Sequence, residues 1–123
     1  LRHGAACEKL VLISPGMYNI KPTFEGFVGL FGLDEVYYGD RIFALAESIH
    51  GINPGALGPD QFAAQIETET LIVHCEDDKD SVKEIALDLH ADMKNSTLHL
   101  TEGLGHRRIL RDEKVAEIVL NFL

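Results

Sequence analysis

Apolar positions along the chain fall into two distinct rhythms. Residues 9–14 (Lys-Leu-Val-Leu-Ile-Ser) hold four consecutive aliphatic side chains with no polar alternation and close on Pro15-Gly16. This pattern predicts a strand buried on both faces. Residues 71–74 (Leu-Ile-Val-His) have the same character, and residues 97–100 (Thr-Leu-His-Leu) are shorter and half alternating. Between the last two the period lengthens. Val82, Ile85, Ala86, Leu89 and Met93 recur at helical spacing, with Lys83, Glu84, Asp88 and Asp92 between them, which predicts a helix with one apolar face. Asp80 or Ser81 is in place to cap it. The tail repeats the rhythm with Val115, Ile118, Val119 and Phe122, headed by Asp112 as N-cap and by Glu113 in the first turn, both favourable at a helix start. Strand, helix, strand, helix predicts a right-handed parallel crossover, so the second half reads as α/β.

Residues 17–68 follow neither rhythm for long. Phe24, Phe27, Val28, Leu30, Phe31 and Leu33 form an aromatic-rich cluster interrupted by Gly26, Gly29 and Gly32. Ile42, Leu45, Ala46 and Ile49 then suggest a helix ended by Gly51, and Asn53-Pro54-Gly55 and Gly58-Pro59 follow as turns. An insertion of short helices between two sheet strands is the simplest reading. The length of 123 residues suits one domain. It divides into a first strand region (1–16), the helical insertion (17–68) and a strand-helix-strand-helix region (69–123).

Composition narrows the function classes. The chain is 46% hydrophobic and 25% charged, which predicts a packed core. Its 20 acidic against 11 basic residues give a net charge of -9, which disfavours nucleic acid and anionic membrane surfaces unless basic residues cluster. The densest basic stretch, Arg107, Arg108 and Arg111, is flanked by Glu102, Asp112 and Glu113. Cys7 and Cys75 stand alone, without C-x-x-C spacing, as suits a reducing cytoplasm. No apolar run approaches the length of a signal-peptide core or a membrane span, and nothing in the pattern calls for a cofactor.

Two short motifs follow directly on expected strands: His74-Cys75-Glu76-Asp77-Asp78 and Gly103-Leu104-Gly105-His106. Catalytic groups in open parallel sheets collect at the carboxyl ends of strands, so an Asp from one loop can meet a His from the next. An aspartate accepting the Nδ1 proton of a histidine fixes its tautomer, as a general base requires. Other readings stand beside this one. Glu76, Asp77, Asp78 and Asp80 form an acidic run that also reads as a solvated loop, or with His74 as oxygen-rich metal ligation, though it lacks EF-hand spacing. Asp77 competes with Asp78 as the acid, Cys75 reads as a small buried residue or as a nucleophile, and His106 as a loop residue capping a turn.

These motifs resemble the C-terminal part of the α/β-hydrolase family. The strand at 71–74 with Asp78 is similar to that family's acid loop, with Cys75 where a Gly or Asp is usual; Gly103-x-Gly105-His106 is similar to its histidine loop. Residues 10–15 resemble the strand before the lid, and residues 17–68 the lid. The resemblance implies a partial α/β-hydrolase fold, a small three-stranded, mainly parallel sheet with flanking helices, with Asp78 as triad acid and His106 as base. It also implies a serine at a Gly-x-Ser-x-Gly elbow upstream of both. Ser14, Ser48, Ser81 and Ser96 lack that context, and residues 1–7 resemble the end of the helix after the elbow, so the sequence is expected to begin just past the nucleophile. Two functions follow: the C-terminal portion of a serine hydrolase acting on an ester or related acyl substrate, or a non-catalytic module that associates through its sheet edge or lid. Either way the strand at 9–14 lacks its family neighbour, and the partner expected is a second copy across that edge, as a homodimer, or the missing N-terminal half.

Overall fold

A computed structural model describes residues 6–16, 20–51 and 63–123. In chain order the described segments are β1 (Lys9–Ile13), α1 (Ile20–Gly29), α2 (Glu35–His50), β2 (Glu69–Cys75), α3 (Lys83–Asp92), β3 (Ser96–Thr101), the four-residue α4 (Gly105–Arg108), a 3-10 turn (Ile109–Arg111) and α5 (Glu113–Phe122). They divide into two compact units, one from residues 1–16 and 62–123 and the other from 17–61. The turn signals at 53–55 and 58–59, and residues 1–5 of the N-terminal segment, lie outside the described residues.

The first unit is a mixed α/β layer built on a parallel sheet ordered β1-β2-β3. Val11 lies opposite Leu71, and Ile72 opposite both Leu12 and Leu98. Side chains alternate across the sheet, and the central strand serves two cores. Leu71, Val73 and Cys75 cluster with Ile109 and Val115, with Val11, Ile13, Leu104, Ile118, Val119 and Phe122 packed around them. Thr70, Ile72 and His74 point the other way and are fully buried. On the opposite side α3 packs on β2 and β3 and buries Ile85, Ala86 and Leu89. The run without alternation at 71–74 is therefore what a strand covered on both faces requires.

β1 departs from its expected burial. Its five residues are all half-buried, because in the sheet of the described residues it has β2 as its neighbour on one side and forms an edge on the other. Lys9 tethers this strand to the end of α5: its amine donates to the carbonyl of Phe122 and lies 4.9 Å from the centre of that ring. A cation at a helix C-terminus is favourable there, and the ring face adds to the attraction.

The helix ends follow local chemistry. Asp112 caps α5 by accepting from the Val115 amide at 3.1 Å. For α3 the expected cap is not the one used. Its N-cap is Val82, without a side-chain bond, because Asp80 and Ser81 are engaged in the preceding loop, described below. No helix of the described residues is long and apolar enough to cross a membrane.

The second unit is a helical hairpin. α1 continues through Gly26, where the sequence suggested an interruption, and α2 begins earlier than its apolar spacing implied, capped by Asp34, whose carboxylate accepts from the Tyr37 amide at 2.8 Å. Gly51 ends α2 in the left-handed conformation, φ 64°, with its amide on the Glu47 carbonyl. Phe24 meets Phe43 edge-on with centroids 6.0 Å apart, and Lys21 pairs with Asp40 at 2.5 Å, so both join the two helices. Leu30, Phe31 and Ile49 remain exposed.

Candidate functional site

The site grows from the carboxyl ends of β2 and β3. A tight turn leaves β2, with the Asp78 amide donating to the Cys75 carbonyl at 3.1 Å. This folds the Asp78 carboxylate inward, where its side chain is fully buried. Oδ1 accepts from the amides of Asp80 and Ser81, both at 2.9 Å. Oδ2 faces His106 Nδ1 at 2.8 Å. Burial alone pushes the Asp78 carboxyl up, but the Ser81 amide, the His106 imidazole and the Asp80 amide outweigh it, holding the group below its ordinary 3.8. Asp78 is thus an ionised, doubly anchored acceptor.

Because Asp78 accepts, His106 Nδ1 must carry the proton, which leaves Nε2 with its lone pair. Nε2 has no partner among the described residues, and the side chain is 38% exposed. It borders an open depression of about 460 Å³ lined also by Asp77, Lys79, Asp80, Leu104 and Arg107. A buried carboxylate, an oriented imidazole and an unoccupied base nitrogen at the rim of a depression can take a proton from a hydroxyl or water placed there.

The loop before His106 is shaped by two glycines. Gly103 and Gly105 have φ of 76° and 59°, conformations that a side chain disfavours. Arg108 closes the loop from outside, with Nη2 donating to the Gly103 carbonyl at 2.7 Å and Nε to the Leu104 carbonyl at 3.1 Å. Asp77 takes a structural place beside the acid. Its Oδ1 receives the Cys75 thiol at 2.7 Å and the Gly103 amide at 2.9 Å. The thiol bond is the larger cause holding its carboxyl below the ordinary value, aided by Gly103 and by Arg108.

A second histidine supports the acid from beneath. His74 is fully buried, and its Nε2 donates to the Ser81 carbonyl at 2.9 Å, fixing the turn whose amides hold Asp78. The Ser81 hydroxyl donates to the Pro15 carbonyl at 2.7 Å and so links this turn to the end of β1. His74 Nδ1 and Ser14 Oγ are buried without partners among the described residues.

Sequence reasoning named Asp78 and His106, and the structure brings them together. It named Cys75 as small and buried without finding that its sulfur binds the histidine loop: Leu104 and Gly105 donate their amides to Sγ at 3.3 and 3.1 Å. The spacing of Gly103 and Gly105 signals a loop that offers amides, but not which acceptor meets them. Two left-handed residues around a right-handed one turn successive amides toward a common acceptor. Of the acidic run, Glu76 pairs outward with Lys83 at 3.1 Å while Asp77 and Asp78 turn toward the histidine loop. Among the described residues no three of His, Cys, Asp and Glu gather as a metal site. No protein-family model matches the chain, and no curated protein matches it.

Proposed function

We propose that this chain carries the acid and base of a serine hydrolase of the α/β-hydrolase kind, in which His106 is the general base and Asp78 its orienter. The observation that carries the reading is the 2.8 Å contact between His106 Nδ1 and Asp78 Oδ2 at the ends of neighbouring parallel strands. The substrate is an ester or related acyl compound. His106 Nε2 takes the proton of a serine hydroxyl as that oxygen attacks the acyl carbon, then returns it to the leaving group. In this reading the serine would stand in a Gly-x-Ser-x-Gly elbow that these 123 residues do not contain, with the oxyanion donors supplied around that elbow and by an earlier loop. The insertion at 17–68, which includes the hairpin of α1 and α2, corresponds in this reading to the lid.

The test uses the reading frame. Residues encoded immediately upstream are expected to include Gly-x-Ser-x-Gly, and the extended protein to hydrolyse p-nitrophenyl esters with saturation. That activity should fall on the order of a thousandfold or more in His106→Ala, and the 123-residue chain alone should show none. An upstream frame without the elbow, or ester hydrolysis indifferent to His106→Ala, contradicts the reading. The edge position of β1 favours a second role, self-association, in which two copies pair their β1 strands across a two-fold axis.

A further inference from the structure

Cys75 occupies a position that neither the acid nor the base explains. It is fully buried at the last residue of β2, and its sulfur is bonded on every side: the thiol donates to Asp77, while the amides of Leu104 and Gly105 donate to Sγ. The Gly103 amide reaches the same Asp77 oxygen. Three successive amides of the histidine loop therefore converge on one sulfur-carboxylate pair from the acid loop. Gly103, Leu104 and Gly105 alternate left-handed, right-handed, left-handed, with φ of 76°, -93° and 59°, the backbone form whose concave row of N–H groups accepts an anion or a sulfur. Gly105 immediately precedes His106, and Asp77 immediately precedes Asp78.

We propose that Cys75 is a positioning residue for His106: its sulfur clamps the histidine loop onto the acid loop and so sets the contact between His106 Nδ1 and Asp78 Oδ2. A glycine at position 75 would offer the loop amides neither acceptor nor donor. The sulfur reaches both loops: it accepts from the Leu104 and Gly105 amides while its proton goes the other way, to Asp77. The proposal rests on the Asp78–His106 pairing described above and adds to it what holds the two loops in register.

The experiment reads the tautomer of His106 by long-range ¹H–¹⁵N correlation in the 123-residue chain, together with amide exchange at Leu104 and Gly105. Three variants are compared with the parent: Cys75→Ala and Cys75→Val, which remove the sulfur's bonds with opposite changes of volume, and Cys75→Ser, which keeps a donor and acceptor. In whichever of Cys75→Ala and Cys75→Val folds, the Leu104 and Gly105 amides should exchange about tenfold faster or more. His106 should then lose most of its Nδ1–H form in favour of Nε2–H. Cys75→Ser should restore both readouts toward the parent. A purely packing role for Cys75 would lower stability and leave the tautomer in place. A folded Cys75→Ala or Cys75→Val protein that keeps Nδ1–H and slow exchange overturns the clamp. A parent protein that already shows Nε2–H overturns the pairing itself, so the two failures are distinguishable.

Discussion

Asp78 concentrates three hydrogen bonds on one buried carboxyl, and its folded-state titration makes them measurable. Its carboxyl sits below its ordinary value in the fold. The stability it contributes is therefore complete above the ordinary, unfolded value of 3.8 and is lost as pH falls through the folded value. Urea midpoints compared at pH 6 and pH 3 should drop more steeply for the parent than for Asp78→Asn, and equal drops would remove the linkage from Asp78. Ser14 makes a contrasting prediction. It is left-handed, φ 47°, and its hydroxyl is buried without a partner among the described residues. Ser14→Gly relieves both penalties while retaining the amide bond to the Val73 carbonyl, so a gain of about 1 kcal/mol is expected in equilibrium unfolding. A loss would mean that the hydroxyl is satisfied in solution. Asp78 was legible in the sequence because one spacing from a strand end defines it. Cys75 was not, since the partners of a buried sulfur exist only after two loops remote in sequence have closed on each other.

Strands and loops differ in how far local pattern determines them. The runs at 71–74 and 97–100 predicted β2 and β3 because covering a strand on both faces or one leaves a direct trace in hydropathy. The ends of α1 and α2 were less legible: Gly26 costs a helix about 1 kcal/mol by propensity, and the contact of Phe24 with Phe43 that joins α1 to α2 leaves no trace in local sequence. The cap of α3 was misread for a related reason, the Asp80 and Ser81 amides being drawn into the Asp78 turn. The histidine loop gives two tests of its construction. No atom lies within 4 Å of a Cβ built on Gly105, so Gly105→Ala would act through backbone conformation alone and should cost about 1–2 kcal/mol. Ile109, fully buried in the turn after α4, packs against β2. Ile109→Ala should cost about 2–5 kcal/mol by chemical denaturation, and a change below 1 kcal/mol would mean that the loop is not anchored there.

The chain as a whole is two compact units, with the candidate site built wholly from the one that holds the parallel sheet. The parallel pairing of β2 with β3 was legible because a strand-helix-strand run admits few arrangements, whereas the place of β1 beside β2 comes from the structure. The open edge of β1 was expected from the resemblance, but its half-burial was not, because a run of aliphatic residues does not record how much of each face is covered. Self-association across that edge predicts a dimer of the 13.6 kDa chain in sedimentation equilibrium at micromolar concentration, weakened by Val11→Pro. A monomer at that concentration, or a dimer indifferent to Val11→Pro, contradicts it. Whether Asp78 holds His106 as a base is read from the tautomer of His106 in the parent and in Asp78→Asn. Oδ1 already accepts two amides, so an asparagine must keep its carbonyl there and turn its amino group toward Nδ1. Nδ1–H is expected in the parent and Nε2–H in Asp78→Asn, and the same tautomer in both would mean that Asp78 does not set it.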